Sequence, residues 1–418
     1  MSRKTSAAAR GLDLAQQEFC SALKCLAQFF LRVQSSRSRR RLHGAGAPAI
    51  MERMSALSFH AGPRALARIR AHGLRAADVA VIPAAAGGPK GLIFQALDQY
   101  VFGDWLPASS RERTLIGSSI GAWRMAAACQ RDPVRAFERL GALYAGQRYT
   151  STKPSVAQIN EVVQGLLHAF VSGHEDDILS HPQHRLHLLA VRGKGALAQP
   201  AHRRAEMRGF AAAALTNVAS RERLGGLLER VVIGDARAPA SWLRERFDGF
   251  TTHFSTLTRG NLAASLLASG TLPLIMQPVT NIDGVPPGYY WDGGVIDYHL
   301  ALPYARLEQE DPEGIVLYPH FNEHIVPGWL DKAMPWRRCA RGPNRAWLDN
   351  VLIVAPTPAF LNTLPRAKLP DRSDFKHYGL DHDARIKAWS QAMGEGQRLR
   401  DELAAFVERP DLSRLRAI

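Results

Sequence analysis

The sequence predicts an α/β fold of three layers, α/β/α, with a central, largely parallel sheet. Two segments carry this prediction, because each reads as a short apolar strand, a glycine-rich turn and a helix, the unit from which α/β sheets are built. The composition agrees with a large core, since 46% of the 418 residues are hydrophobic and 22% are charged. These values exclude a mostly disordered chain, a collagen, a coiled coil and a disulfide scaffold.

The first strand–turn–helix unit follows a segment, 55–77, whose pattern predicts a lead-in helix. The apolar run at 78–83 is typical of a buried strand, and the turn AGGPKG at 86–91 leads directly into a helical pattern. The spacing of this turn fits neither a P-loop nor a Rossmann fingerprint. Its free N–H groups can instead form an oxyanion hole, with Gly87 and Gly88 as donors.

The second unit contains a candidate nucleophile. A strand at 114–116 precedes the turn GSSIG at 117–121, and a helix at 122–129 follows it. In a G-x-S-x-G turn between a strand and a helix, the serine points its Oγ away from the sheet, and the glycines relieve crowding in the tight backbone. The pattern therefore indicates Ser119 as a nucleophile that lies near the positive end of a helix dipole.

The rest of the chain predicts further strands and helices, and one more polar motif. Strands are expected at 185–191, 230–233, 276–282, 289–291, 314–318 and 350–354, and helices within 133–185 and at 261–269 and 384–406. Asp292 stands at the end of a predicted strand and is followed by two glycines. A carboxylate there suits a general base in a crowded site, although Asp-Gly is also a common turn dipeptide.

Taken in order, these three motifs resemble those of the patatin-like phospholipase family, G-G-G-x-[K/R]-G, G-x-S-x-G and D-G-[G/A]. The matching residues are Gly87, Gly88, Lys90 and Gly91 in the first motif, Gly117, Ser119 and Gly121 in the second, and Asp292, Gly293 and Gly294 in the third. The segment ASGTLP at 268–273 resembles the A-S-x-x-x-P segment of the family. The resemblance covers about 78–308, and its one visible departure is Ala86, where the first glycine of the loop is usual.

The resemblance implies the three-layer fold and a Ser–Asp dyad that hydrolyses lipid or other esters. Ser119 would attack the ester carbonyl as the nucleophile, and Asp292 would take its proton. The oxyanion would rest on N–H groups of the 87–91 loop, and water would then hydrolyse the acyl-enzyme. The implied protein is a serine esterase or lipid acyl hydrolase that needs no metal and no other cofactor.

Three alternatives remain open from the sequence. An acyltransferase would use the same dyad and pass the acyl group to an alcohol in place of water. A non-catalytic lipid-binding or regulatory protein would keep the fold without turnover. A Ser-His-Asp triad could instead use His299, His320 or His324, which follow Asp292 in the chain.

Two further groups of polar residues are weaker candidates. Asp297 lies close to Asp292 but lacks the glycines. His181, His184 and His187 lie on a loop that runs into a strand, and Pro182 prevents the helix that would present them to one ion. We therefore predict no metal site.

The charge distribution bears on the domains and partners. The formal net charge is +15, and the first 50 residues hold nine Lys and Arg against two acidic residues. We predict a basic extension at 1–54 outside the fold, with an amphipathic helix at 12–33, then a catalytic core at 78–308 and a C-terminal α/β extension at 309–418 packed on it. Zinc-finger spacing and an aromatic-rich RNA-binding signature are missing, so nucleic acid is not an expected partner.

Cysteines and tryptophans suggest the location. Four cysteines without a CxxC pair indicate a reducing compartment, so we expect a cytoplasmic protein with scope for peripheral membrane contact. No run of 18 uncharged apolar residues predicts a spanning helix. The segment 329–347 combines three tryptophans with Lys332, Arg337, Arg338, Arg341 and Arg345, which fits either docking at lipid headgroups or a basic surface loop.

Overall fold

The computed structural model describes residues 55–238 and 240–418, which belong to a compact unit running from Arg53 to Ile418. The extension predicted at 1–54, including the helix at 12–33, lies outside the described residues. Within the described part, eleven strands form one sheet. They are β1 (Leu57–Ala61), β2 (Val79–Ala84), β3 (Arg113–Ser118), β4 (His184–Gly193), β5 (Leu228–Gly234), β6 (Thr252–Thr256), β7 (Val279–Thr280), β8 (Tyr289–Asp292), β9 (Ile315–Pro319), β10 (Val351–Pro356) and β11 (Leu415–Ala417).

The spatial order of the sheet is β11-β1-β10-β9-β2-β3-β4-β5-β6, and β8 pairs with β4 and β7. The block β10-β9-β2-β3-β4 is parallel throughout. The strands β2, β9 and β10 are buried along their whole length, as expected for parallel strands covered on both faces. The predicted three-layer α/β/α fold with a largely parallel central sheet is confirmed.

The helices pack around this sheet. They are α1 (Pro63–His72), α2 (Gln95–Gln99), α3 (Ile120–Ala128), α4 (Pro133–Ala145), α5 (Val156–Val171), α6 (Glu175–Ser180), α7 (Arg203–Ala219), α8 (Leu262–Gly270), α9 (Pro358–Leu361), α10 (Ser373–Tyr378), α11 (His382–Glu395) and α12 (Gln397–Glu408). Among the described residues, no helix is both long enough and apolar enough to cross a membrane.

The segment predicted as a C-terminal extension contributes three strands to the same sheet. β9 pairs with β2, β10 lies beside β9, and β11 pairs with β1 at the edge. The division at 308 therefore stays a prediction, and residues from both of its sides share one hydrophobic core.

Three elements differ from their predictions. The segment 55–77 begins with strand β1, in which Leu57, Phe59 and Ala61 alternate with polar residues, and its helix starts only at Pro63. The strand expected at 276–282 pairs only over β7, because Pro278 has no N–H for the ladder. The helix expected at 384–406 is split at Gly396, where the carbonyl of Ile93 approaches too closely for a side chain.

The helix that follows Ser119 is fixed by a buried ion pair. The guanidinium of Arg124 on α3 donates to both carboxylate oxygens of Asp98 on α2, each at 2.8 Å, and both side chains are buried. Burial raises the pKa of Asp98, and the charge of Arg124 opposes this rise. The pair therefore holds α3 in place only while both partners are present.

We expect Arg124→Met to destabilise the protein by about 3–5 kcal/mol, because it leaves the Asp98 carboxylate buried without a counter-ion. Urea unfolding measures this loss, and the double variant Asp98→Leu/Arg124→Met should recover part of it. Arg135→Met is the matched control, since Arg135 pairs with Asp132 at the surface and should cost no more than about 1 kcal/mol. Equal stability of the two single variants would contradict this account.

Candidate active site

Strand β4 brings the two candidate residues together. Ser118, the last residue of β3, pairs with Leu189 of β4, and Asp292, the last residue of β8, pairs with the next residue, Ala190. β8 thus continues along β4 from the point where β3 ends. Residues 173 positions apart in sequence therefore meet at one point of the sheet.

Ser119 stands on a sharp turn between β3 and α3. Its backbone has φ 57° and ψ −130°, a conformation that is costly for a residue with a Cβ. Its hydroxyl donates to Asp292 Oδ2 at 2.6 Å, and the two side chains are only 4% and 5% exposed. A hydroxyl held against a buried carboxylate is the geometry of a nucleophile with an adjacent base.

Glycine is required where this turn crosses the sheet. A Cβ on Gly121 would lie 1.9 Å from the carbonyl oxygen of Ala84, at the end of β2. This carbonyl belongs to the backbone of the buried strand β2, so moving it would disturb the sheet and cost stability. Gly121 therefore allows α3 to start directly over the end of β2, which places Ser119 beside the 86–91 turn.

The carboxylate of Asp292 is held from two sides. Gly294 N–H donates to Oδ1 at 2.7 Å, Ser119 occupies Oδ2, and the Asp292 N–H donates to the carbonyl of Thr271. Burial raises the pKa of Asp292, and the hydrogen bond from Ser119 and the charge of Arg372 partly oppose this rise. A raised pKa makes this carboxylate a stronger base than an exposed aspartate.

Ser269, at the end of α8, supports the nucleophile from behind. The backbone N–H of Ser119 donates to Ser269 Oγ at 3.0 Å, and Ser269 donates to the carbonyl of Leu189 at 2.6 Å. Ser269 is fully buried. This chain of hydrogen bonds ties the strained turn to β4. The motif ASGTLP drew attention to this segment, but it did not predict the contact.

The glycine-rich turn lies next to Ser119. The N–H of Ala86 donates to the carbonyl of Tyr298, so it is already used. Gly87 lines the same cavity as Ser119, and Gly88 has φ 57°, a left-handed conformation that favours glycine. Of the two predicted donors, Gly87 thus lines the cavity at Ser119, and the next residue, Gly88, packs against Arg372.

Two cavities meet at Ser119. One, the polar cavity, has a volume of about 330 Å³ and is the more polar of the two. It is lined by Ser119 and Asp292, the turn residues Ala86, Gly87 and Lys90, and the more distant Lys332 and Arg372. The other, of about 250 Å³, has largely apolar walls that include Ile120, Trp123, Ile159, Val163, Leu166, Leu272, Ile275, Met276 and Phe375. Ser119 therefore lies between a cavity with charged side chains and a largely apolar cavity.

A comparison with models of protein families tests the resemblance seen in the three motifs. The model of the patatin-like phospholipase family matches residues 108–302. This segment is a patatin-like phospholipase domain. The resemblance predicted from the three motifs is confirmed, and the chain carries a domain of a lipid acyl hydrolase family. A comparison with curated proteins gives no match.

The match covers part of the site. The patatin-like domain contains Ser119 and Asp292, whereas the 86–91 turn precedes it and both Lys332 and Arg372 follow it. Sequence reasoning missed Arg372, because it belongs to no motif and lies 80 positions beyond Asp292. Lys332 was noticed only as part of a basic segment.

Three other glycines of the motifs allow backbone and side chains to pack closely around the site, where a Cβ would be too near its neighbours. A Cβ on Gly91 would lie 3.2 Å from Ile120, one on Gly117 would lie 2.5 Å from Ala122 N, and one on Gly293 would lie 2.3 Å from the carbonyl oxygen of Leu189. The Lys90 Nζ lies over the ring of Phe321, 4.8 Å from its centroid, and Lys90 lines the polar cavity. These contacts set how closely the turn, β4 and α3 approach one another.

The alternative acids and bases lie elsewhere in the patatin-like fold. Asp297 accepts two hydrogen bonds from the buried Arg230, at 2.7 and 2.9 Å. His299 is buried and contacts the backbone at His324 and Val326, and burial lowers its pKa well below the usual value. His299, His320 and His324 line neither of the cavities at Ser119, and His382, which lines the apolar one, contacts the backbone of Tyr149 through Nε2. A triad of Ser119 with His299, His320 or His324 is therefore not supported.

The histidines at 181–187 have structural contacts. The rings of His181 and His184 stack at 4.0 Å, and His184 Nδ1 contacts the carbonyl of Ala128. Within the described residues, no group of three metal-ligating side chains is found.

The segment 329–347 divides into exposed and anchored residues. Trp329 and Trp336 are 36% and 48% exposed, and Trp329 also lines the polar cavity. Arg337 is paired with the buried Asp331, and Arg345 donates to the carbonyl of Ile418. The arginines of this segment are therefore not equivalent, since these two stabilise the fold.

Proposed function

We propose that this protein is a serine esterase of the lipid acyl hydrolase type, with Ser119 as nucleophile and Asp292 as base. The observation that carries the proposal is the 2.6 Å hydrogen bond from the Ser119 hydroxyl to a buried carboxylate, at the junction of two cavities. A strained serine, a base and N–H groups next to it are the parts that acyl transfer needs.

The proposed reaction has two stages. Ser119 Oγ attacks the ester carbonyl while Asp292 takes the hydroxyl proton, and the oxyanion is stabilised by N–H groups of Gly87 and Gly88. The bond to the leaving alkoxide then breaks, and Asp292 returns the proton to it. In the second stage Asp292 takes a proton from water, the hydroxide attacks the acyl carbonyl, and the bond to Ser119 Oγ breaks as Asp292 returns the proton to that oxygen. Lys332 and Arg372 line the cavity that contains Ser119 and are exposed to solvent, so water can enter this cavity.

The experiment that tests this function is hydrolysis of p-nitrophenyl esters. We expect the parent protein to release p-nitrophenol and Ser119→Ala to lose at least about 10³-fold in kcat. Ser118→Ala is the matched control, because Ser118 precedes the nucleophile on β3 and lines neither cavity. A folded parent that does not exceed Ser119→Ala would contradict the proposal.

Activity should fall in acid. Because burial raises the pKa of Asp292, the carboxylate becomes protonated, and unable to act as a base, at a pH above the usual aspartate value of 3.8. We expect kcat/KM for an uncharged ester to rise with pH along a limb centred above 3.8. A profile that stays flat down to pH 4, with the protein folded throughout, would contradict the role of Asp292.

Ser269 is proposed as a positioning residue. We expect Ser269→Ala to lower kcat about tenfold with little change in KM, because the Ser119 N–H loses its partner and the turn loses its tie to β4. Ser269→Thr, which keeps the hydroxyl, should recover part of the loss. Ser265→Ala is the control, since Ser265 is also buried on α8. Equal losses for Ser269→Ala and Ser265→Ala would indicate a purely structural effect.

We further propose peripheral contact with lipid surfaces through Trp329 and Trp336. Tryptophan favours the headgroup region, and Arg338 and Arg341 follow in the same segment. Trp336→Ala should weaken binding to anionic vesicles several-fold, whereas Leu412→Ala, an exposed apolar residue near the C-terminus, should not. Unchanged binding of Trp336→Ala would remove this proposal. The cytoplasmic location stays a prediction.

A further inference from the structure

Two side chains of α7 hold the loop at 271–276, which connects α8 to β7. Within this loop Leu274 has φ 65°, a left-handed conformation that is costly for a residue with a Cβ. The N–H of Leu274 donates to Glu206 Oε1 at 3.0 Å, and its carbonyl accepts from Arg203 Nη2 at 2.9 Å. Glu206 and Arg203, one turn apart on α7, therefore bind both polar backbone groups of the strained residue.

The 271–276 loop forms part of the candidate active site. Leu272 lines both cavities at the site, and Ile275 and Met276 line the apolar one. The carbonyl of the first residue of the loop accepts a hydrogen bond from the N–H of Asp292 at 2.7 Å. The position of this loop therefore sets part of the wall of the apolar cavity, next to the proposed base.

The carboxylate of Glu206 also contacts the residue that precedes the proposed base. The indole N–H of Trp291 donates to the same oxygen, Oε1, at 3.2 Å. The ring of Trp291 meets that of Phe210, which lies one turn beyond Glu206 on α7, edge to face at 5.2 Å. Trp291 is fully buried and Glu206 is only 7% exposed. One carboxylate oxygen thus joins α7, the 271–276 loop and β8.

A buried carboxylate at this position has a cost for folding. Burial raises the pKa of Glu206, and the hydrogen bonds from Leu274 and Trp291 and the charge of Arg203 oppose this rise. Trp291 and Phe210 belong to an apolar cluster, against which a hydrophobic side chain would pack at a lower cost. Such a side chain could not accept the two N–H groups. The acceptor oxygen is therefore what Glu206 contributes here.

From these contacts we infer that Glu206 and Arg203 set the substrate selectivity of the proposed hydrolase site. They hold the 271–276 loop in the position that shapes the apolar cavity, and they thereby determine how well the cavity takes the apolar chain of an ester. Neither side chain lines a cavity at the site, so both are positioning residues that act through the loop. The inference rests on the proposed function for turnover, but binding in the cavity can be measured without it.

The kinetic test compares p-nitrophenyl octanoate with p-nitrophenyl acetate, both below their aggregation concentrations. We expect Glu206→Ala to lower the ratio of their kcat/KM values, octanoate over acetate, about tenfold, mainly through a higher KM for the octanoate, because the loop loses its acceptor. Glu206→Gln keeps an acceptor oxygen and should leave the ratio within about twofold of the parent. Glu222→Ala is the matched control, since Glu222 is exposed and lies beyond the end of α7.

Arg203 tests the same loop from the protein surface. Arg203 is exposed, so its replacement should leave the protein folded. Arg203→Ala should lower the octanoate to acetate ratio about threefold, because the carbonyl of Leu274 loses its donor. Arg204→Ala is the control, since Arg204 is the next exposed residue of α7 and, in the described part of the chain, forms no hydrogen bond with Leu274. An unchanged ratio in folded Arg203→Ala and Glu206→Ala would overturn the inference.

The binding test uses Ser119→Ala protein, with 1-octanol as an uncharged probe in calorimetry. Binding of octanol that is about tenfold weaker when Glu206→Ala is added, and unchanged when Glu206→Gln is added, supports the inference. Equal binding by the Glu206→Ala protein, or no binding of octanol to any of them, would overturn it.

The two tests separate the possible failures. If the parent hydrolyses both esters and the variants leave the ratio unchanged, the role of the two residues is wrong and the hydrolase function stands. If neither ester is hydrolysed, the proposed function fails, and octanol binding alone decides whether Glu206 shapes the cavity.

Discussion

Asp292→Asn should lower kcat for ester hydrolysis by about 10³–10⁴-fold, because the amide keeps the shape of the carboxylate but cannot take the proton of Ser119. KM should change little, since the substitution leaves the walls of both cavities intact. Steady-state hydrolysis of a p-nitrophenyl ester, with folding checked by circular dichroism, measures the effect.

Asp297→Asn is the matched control for this variant. Asp297 lies five residues further along the chain, and its carboxylate binds the buried Arg230. Its replacement should reduce stability and leave kcat per folded molecule close to that of the parent. If Asp297→Asn lost activity in the folded state while Asp292→Asn kept it, Asp292 could not be the base.

Gly121→Ala should cost both stability and activity. The added Cβ would lie 1.9 Å from the carbonyl oxygen of Ala84, so α3 or β2 must shift. We expect a loss of at least about 3 kcal/mol in the free energy of unfolding, from overpacking against backbone. Activity should fall at least about 10²-fold even in the folded fraction, since the shift displaces Ser119 from Asp292.

Gly165→Ala provides the comparison for this substitution. Gly165 lies within α5, and a Cβ there would meet nothing within 4 Å. Alanine favours the helix over glycine by about 1 kcal/mol, so this variant should be slightly more stable than the parent. Urea unfolding distinguishes the two, and a Gly121→Ala protein as stable as the parent would refute the proposed contact.

The fold was predictable because its central units are local. Each of the strands β2 and β3 is an apolar run that leads through a glycine-rich turn into helical structure, so period and turn residues suffice to predict them. Strand β1 was missed because the helical pattern after Pro63 dominated the same window. Helix α7 was not predicted because its apolar residues do not line one face of the helix. It also begins with two charged residues, Arg203 and Arg204.

The candidate site was predictable only as separate pieces. Ser119 and the glycines of its turn belong to one short motif, and Asp292 belongs to another. Their contact arises because β3 and β8 pair with consecutive parts of the same strand, β4. The spacing of residues in the sequence does not reveal this pairing. Arg372 was beyond reach for a similar reason, because an isolated arginine at the start of a short helix has no local signal for the cavity that it lines.

The most direct test of the central claim is covalent trapping of the nucleophile. A fluorophosphonate should react with the parent protein, lose fluoride and leave one adduct, which peptide mass spectrometry maps to Ser119. Ser119→Ala should give no adduct, and Asp292→Asn should react far more slowly, because its serine lacks a base. An adduct on another residue, or a folded parent that gives no adduct, would contradict the assignment of Ser119 and Asp292.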